Sequence, residues 1–140
     1  MNSISVVIPV YNEAKILHTF LMYLQETNSK NIMEFLVVDG QSTDDSKAIV
    51  LEFSKKYTKF KGIDSPKGRA VQMNTAAAQA KGTILYFLHA DSLPPKEFDA
   101  HILKAVGNGS KSGCFKMKFD SSHWGLKIAG WLTQFNWRSC

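Results

Sequence analysis

His89 and Asp91 stand one residue apart, directly after the apolar run Ile84-Leu85-Tyr86-Phe87-Leu88. A short apolar run reads as a buried strand, and in an open α/β sheet ligands bind beyond the carboxyl ends of the strands. Residues i and i+2 of an extended backbone point the same way. One imidazole and one carboxylate can therefore reach a single ion or ligand together. Two earlier runs end in similar chemistry: Ser5 to Val10 leads into Pro9-Val10-Tyr11-Asn12-Glu13, and Glu34 to Asp39 into Asp39-Gly40-Gln41-Ser42. Between them and His89, Lys67-Gly68-Arg69 precedes a helix-forming stretch.

These are the parts a nucleotide requires. A carboxylate such as Asp39 can accept from a base N–H, and a glycine beside it lets the backbone approach closely. A cation and a helix N-terminus can meet phosphates. Asp91 can hold a divalent metal bridging a diphosphate, because hard cations prefer oxygen ligands. Neither a P-loop nor a GxGxxG fingerprint occurs, which weighs against kinase, ATPase and dinucleotide-binding readings.

The elements that position these groups alternate. Ser5 to Val10 predicts a strand, and Asn12 is placed to cap a helix with Ile16, Leu17, Phe20, Leu21 and Leu24 at helical spacing. After the strand Glu34 to Asp39, Ser42-Thr43-Asp44-Asp45 has the form of a capping box. It opens a helix with Ile49, Val50, Phe53 and Tyr57 on one face. A third strand is expected around Lys59 to Ile63. A helix from Arg69 to Lys81 follows, stopped by Gly82, then the strand Thr83 to Leu88 and a helix from Pro94-Pro95 to about Val106. The order β-α-β-α-β-α-β-α predicts a Rossmann-like, mostly parallel sheet with helices on both faces. Ser112 to Phe119 alternates like a strand, and Ser122 to Trp137 reads as an amphipathic helix.

A chain of 140 residues predicts one domain, with an α/β core over 1–106 and a strand plus amphipathic helix over 107–140. Hydrophobic and charged fractions of 44% and 21% are ordinary for a globular protein. Two cysteines, Cys114 and Cys140, lack metal-ligand spacing and fit a reducing compartment. No signal peptide or membrane span is expected, so the predicted location is cytoplasmic. The net charge of +5 is concentrated late: up to Leu103 there are 11 basic and 11 acidic residues, whereas from Lys104 on there are six basic residues and only Asp120. Trp124, Trp131 and Trp137 share that stretch. If a covering half is missing, this helix is expected to make a peripheral membrane contact or a homo-oligomer.

The motifs in their order resemble the family 2 glycosyltransferases of the A-type, nucleotide-sugar-binding fold. The matching residues are Ile8-Pro9-Val10-Tyr11-Asn12-Glu13, Val37-Val38-Asp39-Gly40 with Ser42-Thr43-Asp44, Gly68-Arg69-Ala70 with Gln72-Met73-Asn74, and Phe87-Leu88-His89-Ala90-Asp91. The combination is most similar to a bacterial subgroup described as radical-SAM/selenodomain-associated glycosyltransferase-like proteins, and it covers the chain from Ser3 on.

The resemblance implies that Pro9, Tyr11 and Glu13 form the first nucleotide-binding turn. It implies that Asp39, beside Gly40, reads the base, and that Arg69 and Asn74 line the sugar-diphosphate. His89-Ala90-Asp91 stands where the family has Asp-x-Asp, with Asp91 as the metal-holding second aspartate and His89 in place of the first. A divalent metal, manganese or magnesium, is the implied cofactor, and imidazole would tolerate a transition metal better than magnesium. The implied partner is a nucleotide-diphosphate sugar. Inverting transfer needs a base, and Glu97, Asp99 and Asp120 do not match one, so the catalytic residue is unassigned. The alternative is a catalytically incomplete nucleotide-sugar-binding module or truncated remnant. A third reading, a basic surface-binding protein for membrane or nucleic acid, rests on the late charge alone; nucleic acid is not an expected partner.

Overall fold

In the computed structural model, residues 1–115 are described. The element order is β1 (Ile4–Val10), α1 (Ala14–Glu26), β2 (Ile32–Asp39), α2 (Ser46–Lys56), β3 (Phe60–Asp64), α3 (Arg69–Ala77), β4 (Ile84–Phe87) and α4 (Phe98–Gly107). The chain divides into two compact units, Met1–Ala100 and His101–Cys140. The first holds the whole sheet. In the second, the described part continues α4 and ends it in a turn, where the Asn108 N–H donates to Lys104 and Gly109 adopts φ 90°. The strand and tryptophan-bearing helix expected after Ser112 lie outside the described residues, apart from Ser112–Phe115, which has no regular secondary structure. Cys114 stands in a disulfide, not as the reduced thiol expected.

The sheet has the order β3-β2-β1-β4, and every pairing is parallel. This bears out the α/β expectation. The first two crossovers build the sheet outward from β1, and the third returns to its other side, so the direction reverses between β1 and β4. That reversal opens a crevice at the strands' carboxyl ends.

Alternation along the strands sends side chains to two layers. On one face Phe35 stacks on its registered neighbour Phe60, with ring centroids 4.4 Å apart, and Phe53 of α2 packs edge-on against Phe60. His18 of α1 meets Phe53 in turn, while Leu17, Phe20, Leu21 and Leu24 bury the inner stripe of α1. On the other face Val7, Leu36 and Val38 pack with Ala76 of α3. Small alanines let α3 lie close. Each fully buried aliphatic side chain contributes about 1.5–3 kcal/mol.

Four boundaries differ from expectation. Asn12 adopts φ 53° and precedes α1 without capping it, because its side chain is committed elsewhere. Ser42 does not cap α2, which starts only at Ser46. The α3 helix stops at Ala77, since the Lys81 and Gly82 N–H groups are taken by Glu34 and Ser5. The last helix begins at Phe98, not at Pro94-Pro95: Glu97 sits at φ 55°, outside helical space. The β4 strand is also less buried than its composition implies. It is an edge among the described strands, and Leu85 and Phe87 are 40% and 43% exposed.

Candidate nucleotide site at the strand ends

Register brings Val10, Asp39 and Asp64 level at the ends of three strands. Asp39 is buried. Its Oδ2 accepts the Ser42 N–H at 3.1 Å, while its Oδ1 is buried with no hydrogen-bond partner. A buried carboxylate oxygen without a donor costs free energy unless a ligand supplies one. Of the predicted site residues, this is the one whose unmet chemistry is explicit.

Gly40 follows because nothing larger fits. A Cβ there would lie 2.7 Å from the side chain of Gln72. Gln72 reaches up from α3 and donates Nε2 to the carbonyls of Val10, at 2.8 Å, and Val38, at 2.9 Å. One buried amide thus joins the ends of β1 and β2 directly beneath Asp39. Gln72 was legible only as part of a motif; a lone glutamine in an alanine-rich helix gives no other signal.

Two loops then lock each other. The Asn12, Glu13 and Ala14 N–H groups donate to Ser42 Oγ, Ser46 Oγ and Asp44 Oδ2, at 3.0, 2.9 and 3.1 Å. In return the Asn12 side-chain carbonyl accepts from the Thr43 N–H at 2.8 Å. The orphan donors at the start of α1 are therefore satisfied from the β2–α2 loop. Hydrogen bonds from Ser46 hold the Asp44 carboxyl below its usual range, ahead of a smaller opposing effect of desolvation. Asn12 and Gln41, one in each loop, both have positive φ, and such strain gathers where the surrounding structure fixes a functional loop. Glu13 takes part through its backbone, as the residue before α1. Half-buried Pro9 pairs with Val38 inside β1.

Tyr11 emerges from the end of β1, and Lys67 Nζ lies 4.1 Å from the centroid of its ring. Gly68, at φ 139°, turns the chain into α3, and Arg69 is the first, exposed residue of that helix. Asn74 is separated from this group. At 100° per residue it lies about 200° around the helix from Gln72, and it is exposed.

At the end of β4, His89 is half-buried and Ala90 buried, and the Ser92 N–H closes a turn onto the His89 carbonyl. Burial, and then the positive charge of Arg69, push the imidazole pKa below its ordinary value; Asp91 opposes them more weakly. The shift favours the uncharged imidazole, the form that ligates metals. Asp91 is exposed, with Oδ1 accepting from Ser92 Oγ at 3.2 Å. Among the described residues no three His, Cys, Asp or Glu side chains gather as a metal cage. One carboxylate and an imidazole would fit a cation that completes its shell with phosphate oxygens and water, and the nitrogen donor suits a transition metal such as manganese better than magnesium.

Other concavities carry different chemistry. A cleft of about 580 Å³ is lined along β3 by Lys61 and Ile63, and another of about 530 Å³ lies between Tyr23 and Asp99. Neither includes Asp39 or Asp91.

The chain is similar to known glycosyltransferases. Glycosyltransferase AglE of Haloferax volcanii is 37% identical over 98 residues, covering 68% of this chain and 32% of that protein. The probable glycosyltransferase YdaM of Bacillus subtilis is 29% identical over 122 residues, covering 83% and 29%. The chain thus spans about a third of the length of these relatives. Among solved structures, S. aureus TarS in complex with UDP aligns with a TM-score of 0.66 and 23% identity over 86% of this chain and 38% of that one. Mannosyltransferase PcManGT from Pyrobaculum calidifontis, in complex with GDP-Man and Mn2+, aligns at 0.64 and 24% over 83% and 36%. These likenesses show that the fold is the A-type fold of glycosyltransferases. The family model described as glycosyl transferase family 2 matches residues 5–129, and the chain belongs to that family.

Proposed function

We propose that this chain is the donor-binding part of a glycosyltransferase that takes a sugar from a nucleotide-diphosphate donor to an acceptor hydroxyl. The carrying observation is Asp39: a buried carboxylate at the carboxyl end of β2, with one oxygen satisfied by Ser42 and the other bare. A base N–H is a donor that would complete it. Gly40 lets the base approach the backbone, and the Tyr11 ring gives it a flat surface to stack on. Arg69 and the start of α3 face the diphosphate. Two proteins of this fold, TarS and PcManGT, have been solved in complex with UDP and with GDP-Man and Mn2+, which supports a nucleotide as the ligand here. Pro9 and Glu13 shape the first turn, and Asn74 enters only if α3 or the sugar brings its exposed face into play. The motifs Gly68-Arg69-Ala70, Gln72-Met73-Asn74 and His89-Ala90-Asp91 support the radical-SAM/selenodomain-associated subgroup.

Asp91 and His89 would hold a divalent cation together with the diphosphate. Such a cation supplies charge neutralisation of the leaving diphosphate. In the transfer the acceptor oxygen bonds to the anomeric carbon as the bond from that carbon to the β-phosphate oxygen breaks. Arg69 stabilises the charge left on the diphosphate.

The acceptor proton needs a base, and here a second reading is favoured by one observation. Asp99, which follows the donor motifs, is occupied: its Oδ2 accepts from Ser29 Oγ and Asn31 Nδ2. Burial disfavours its charge, but these bonds outweigh burial and hold its carboxyl below the usual range. It is a structural tie, not a free base. The described residues therefore make a donor-binding module whose base is supplied from outside them. Calorimetry with UDP-, GDP- and dTDP-sugars plus manganese tests both readings. Binding of one donor class by folded protein is expected, and binding of none would overturn them.

A further inference from the structure

We propose that Lys67 gates the ring of Tyr11, covering it while the site is empty and moving to the phosphates when a nucleotide binds. The inference rests on the donor-nucleotide reading and adds to it a residue that selects for the phosphorylated ligand. The Lys67 ammonium sits 4.1 Å from the Tyr11 ring centroid, well inside the range of a cation–π contact. That ring face cannot hold a cation and a stacked base together. Lys67 also has no carboxylate within ion-pair distance among the described residues, whereas Lys47 and Lys61 each have one, Asp64 and Glu34. Its charge is held by the ring alone.

The surroundings give that charge a second destination. Gly68 and Arg69 follow it directly, and α3 opens with no acidic residue in its first turn and no side-chain cap on its N-terminus. Two cations and a helix N-terminus therefore follow one another with no acidic residue in the helix's first turn. Across the crevice waits the bare Oδ1 of Asp39, which independently marks a ligand position. A nucleoside reaching Asp39 must displace Lys67 from Tyr11 and gives it nothing in return. A nucleoside diphosphate offers phosphate oxygens, for which an ammonium makes a stronger, charge-assisted bond than it makes with a ring. The contact thus works against ligands without phosphate.

The test is calorimetry of the 140-residue chain with three pairs, uridine and UDP, guanosine and GDP, and thymidine and dTDP. Lys67→Ala removes both functions of the side chain at an exposed turn. For the pair that the wild-type protein accepts, the nucleoside should bind about two- to fivefold more tightly to the variant. The diphosphate should bind about tenfold more weakly. Lys67→Arg keeps a cation able to do both and should restore the wild-type ratio. A change of both affinities in the same direction, or an unchanged ratio, would overturn the gate alone. Failure of the wild-type protein to bind any of UDP, GDP and dTDP would overturn the donor reading and the gate with it.

Discussion

The side chain of Gln72 occupies the space that a Cβ at residue 40 would need, with a closest approach of 2.7 Å. Because the same amide donates to Val10 and Val38, Gly40→Ala cannot be absorbed by a small shift. Gln72 must swing away and give up both of its buried hydrogen bonds, although the Val10 carbonyl keeps the Gly40 N–H at 2.9 Å. We expect Gly40→Ala to lower stability by about 1–3 kcal/mol and Gln72→Ala to do the same. Urea unfolding checks this, and the double variant should lose less than the sum, since both changes break one contact.

At the opposite ends of the strands, Glu34 is buried and pairs with Lys61 Nζ at 2.6 Å, Ser5 Oγ at 2.8 Å and the Lys81 N–H at 2.7 Å. Burial opposes its charge, but these bonds and the Lys61 charge outweigh burial and hold the carboxyl below 4.5. The folded pKa is thus the lower one. The unfolded chain takes up the proton first, so the stabilisation is present above about pH 4.5 and is lost as pH falls through the folded value. Glu34→Ala should cost about 2 kcal/mol at pH 7, and the difference from wild type should shrink in acid. Thermal melts at pH 7 and pH 3 would show it; an equal difference at both would contradict it.

Much of this was legible in the sequence, and what was not has a common cause. Apolar runs located β1, β2 and β4, whereas β3 was placed on a poor pattern around Lys59 to Ile63. Periodicity gave the buried faces of α1 and α2, because Leu17, Phe20, Leu21, Leu24, Val50 and Phe53 recur at helical spacing. Local rules failed where a side chain serves a distant partner. Asn12 and Ser42 look like caps for their own helices, yet each serves the other's loop across 30 residues. Pro94-Pro95 looks like a helix start, but the Pro94 carbonyl instead accepts from Tyr23 Oη. Asp39 was found by its place after an apolar run, and only coordinates reveal which of its oxygens is bare. The grouping of Tyr11 with Lys67 was invisible for the same reason: 56 positions separate them, and no periodicity links two loop residues.

Asp91 is the carboxylate by which the metal proposal stands. Asp91→Ala removes an exposed side chain whose hydrogen bond is to the adjacent Ser92, so folding should be unaffected. Manganese should strengthen nucleotide binding to the wild type and have no such effect on the variant. Equal manganese dependence in both would remove Asp91 from the site.

The central claim is that the bare oxygen of Asp39 receives a donor from the nucleotide base. Asp39→Asn keeps the volume and an oxygen for the Ser42 N–H, but turns an NH₂ toward the position of the ligand's donor. Titration calorimetry of the donor nucleotide against wild type and Asp39→Asn measures this directly. The expected result is an affinity lower by about tenfold or more, with the fold intact by circular dichroism. An unchanged affinity in a folded Asp39→Asn protein would contradict the account.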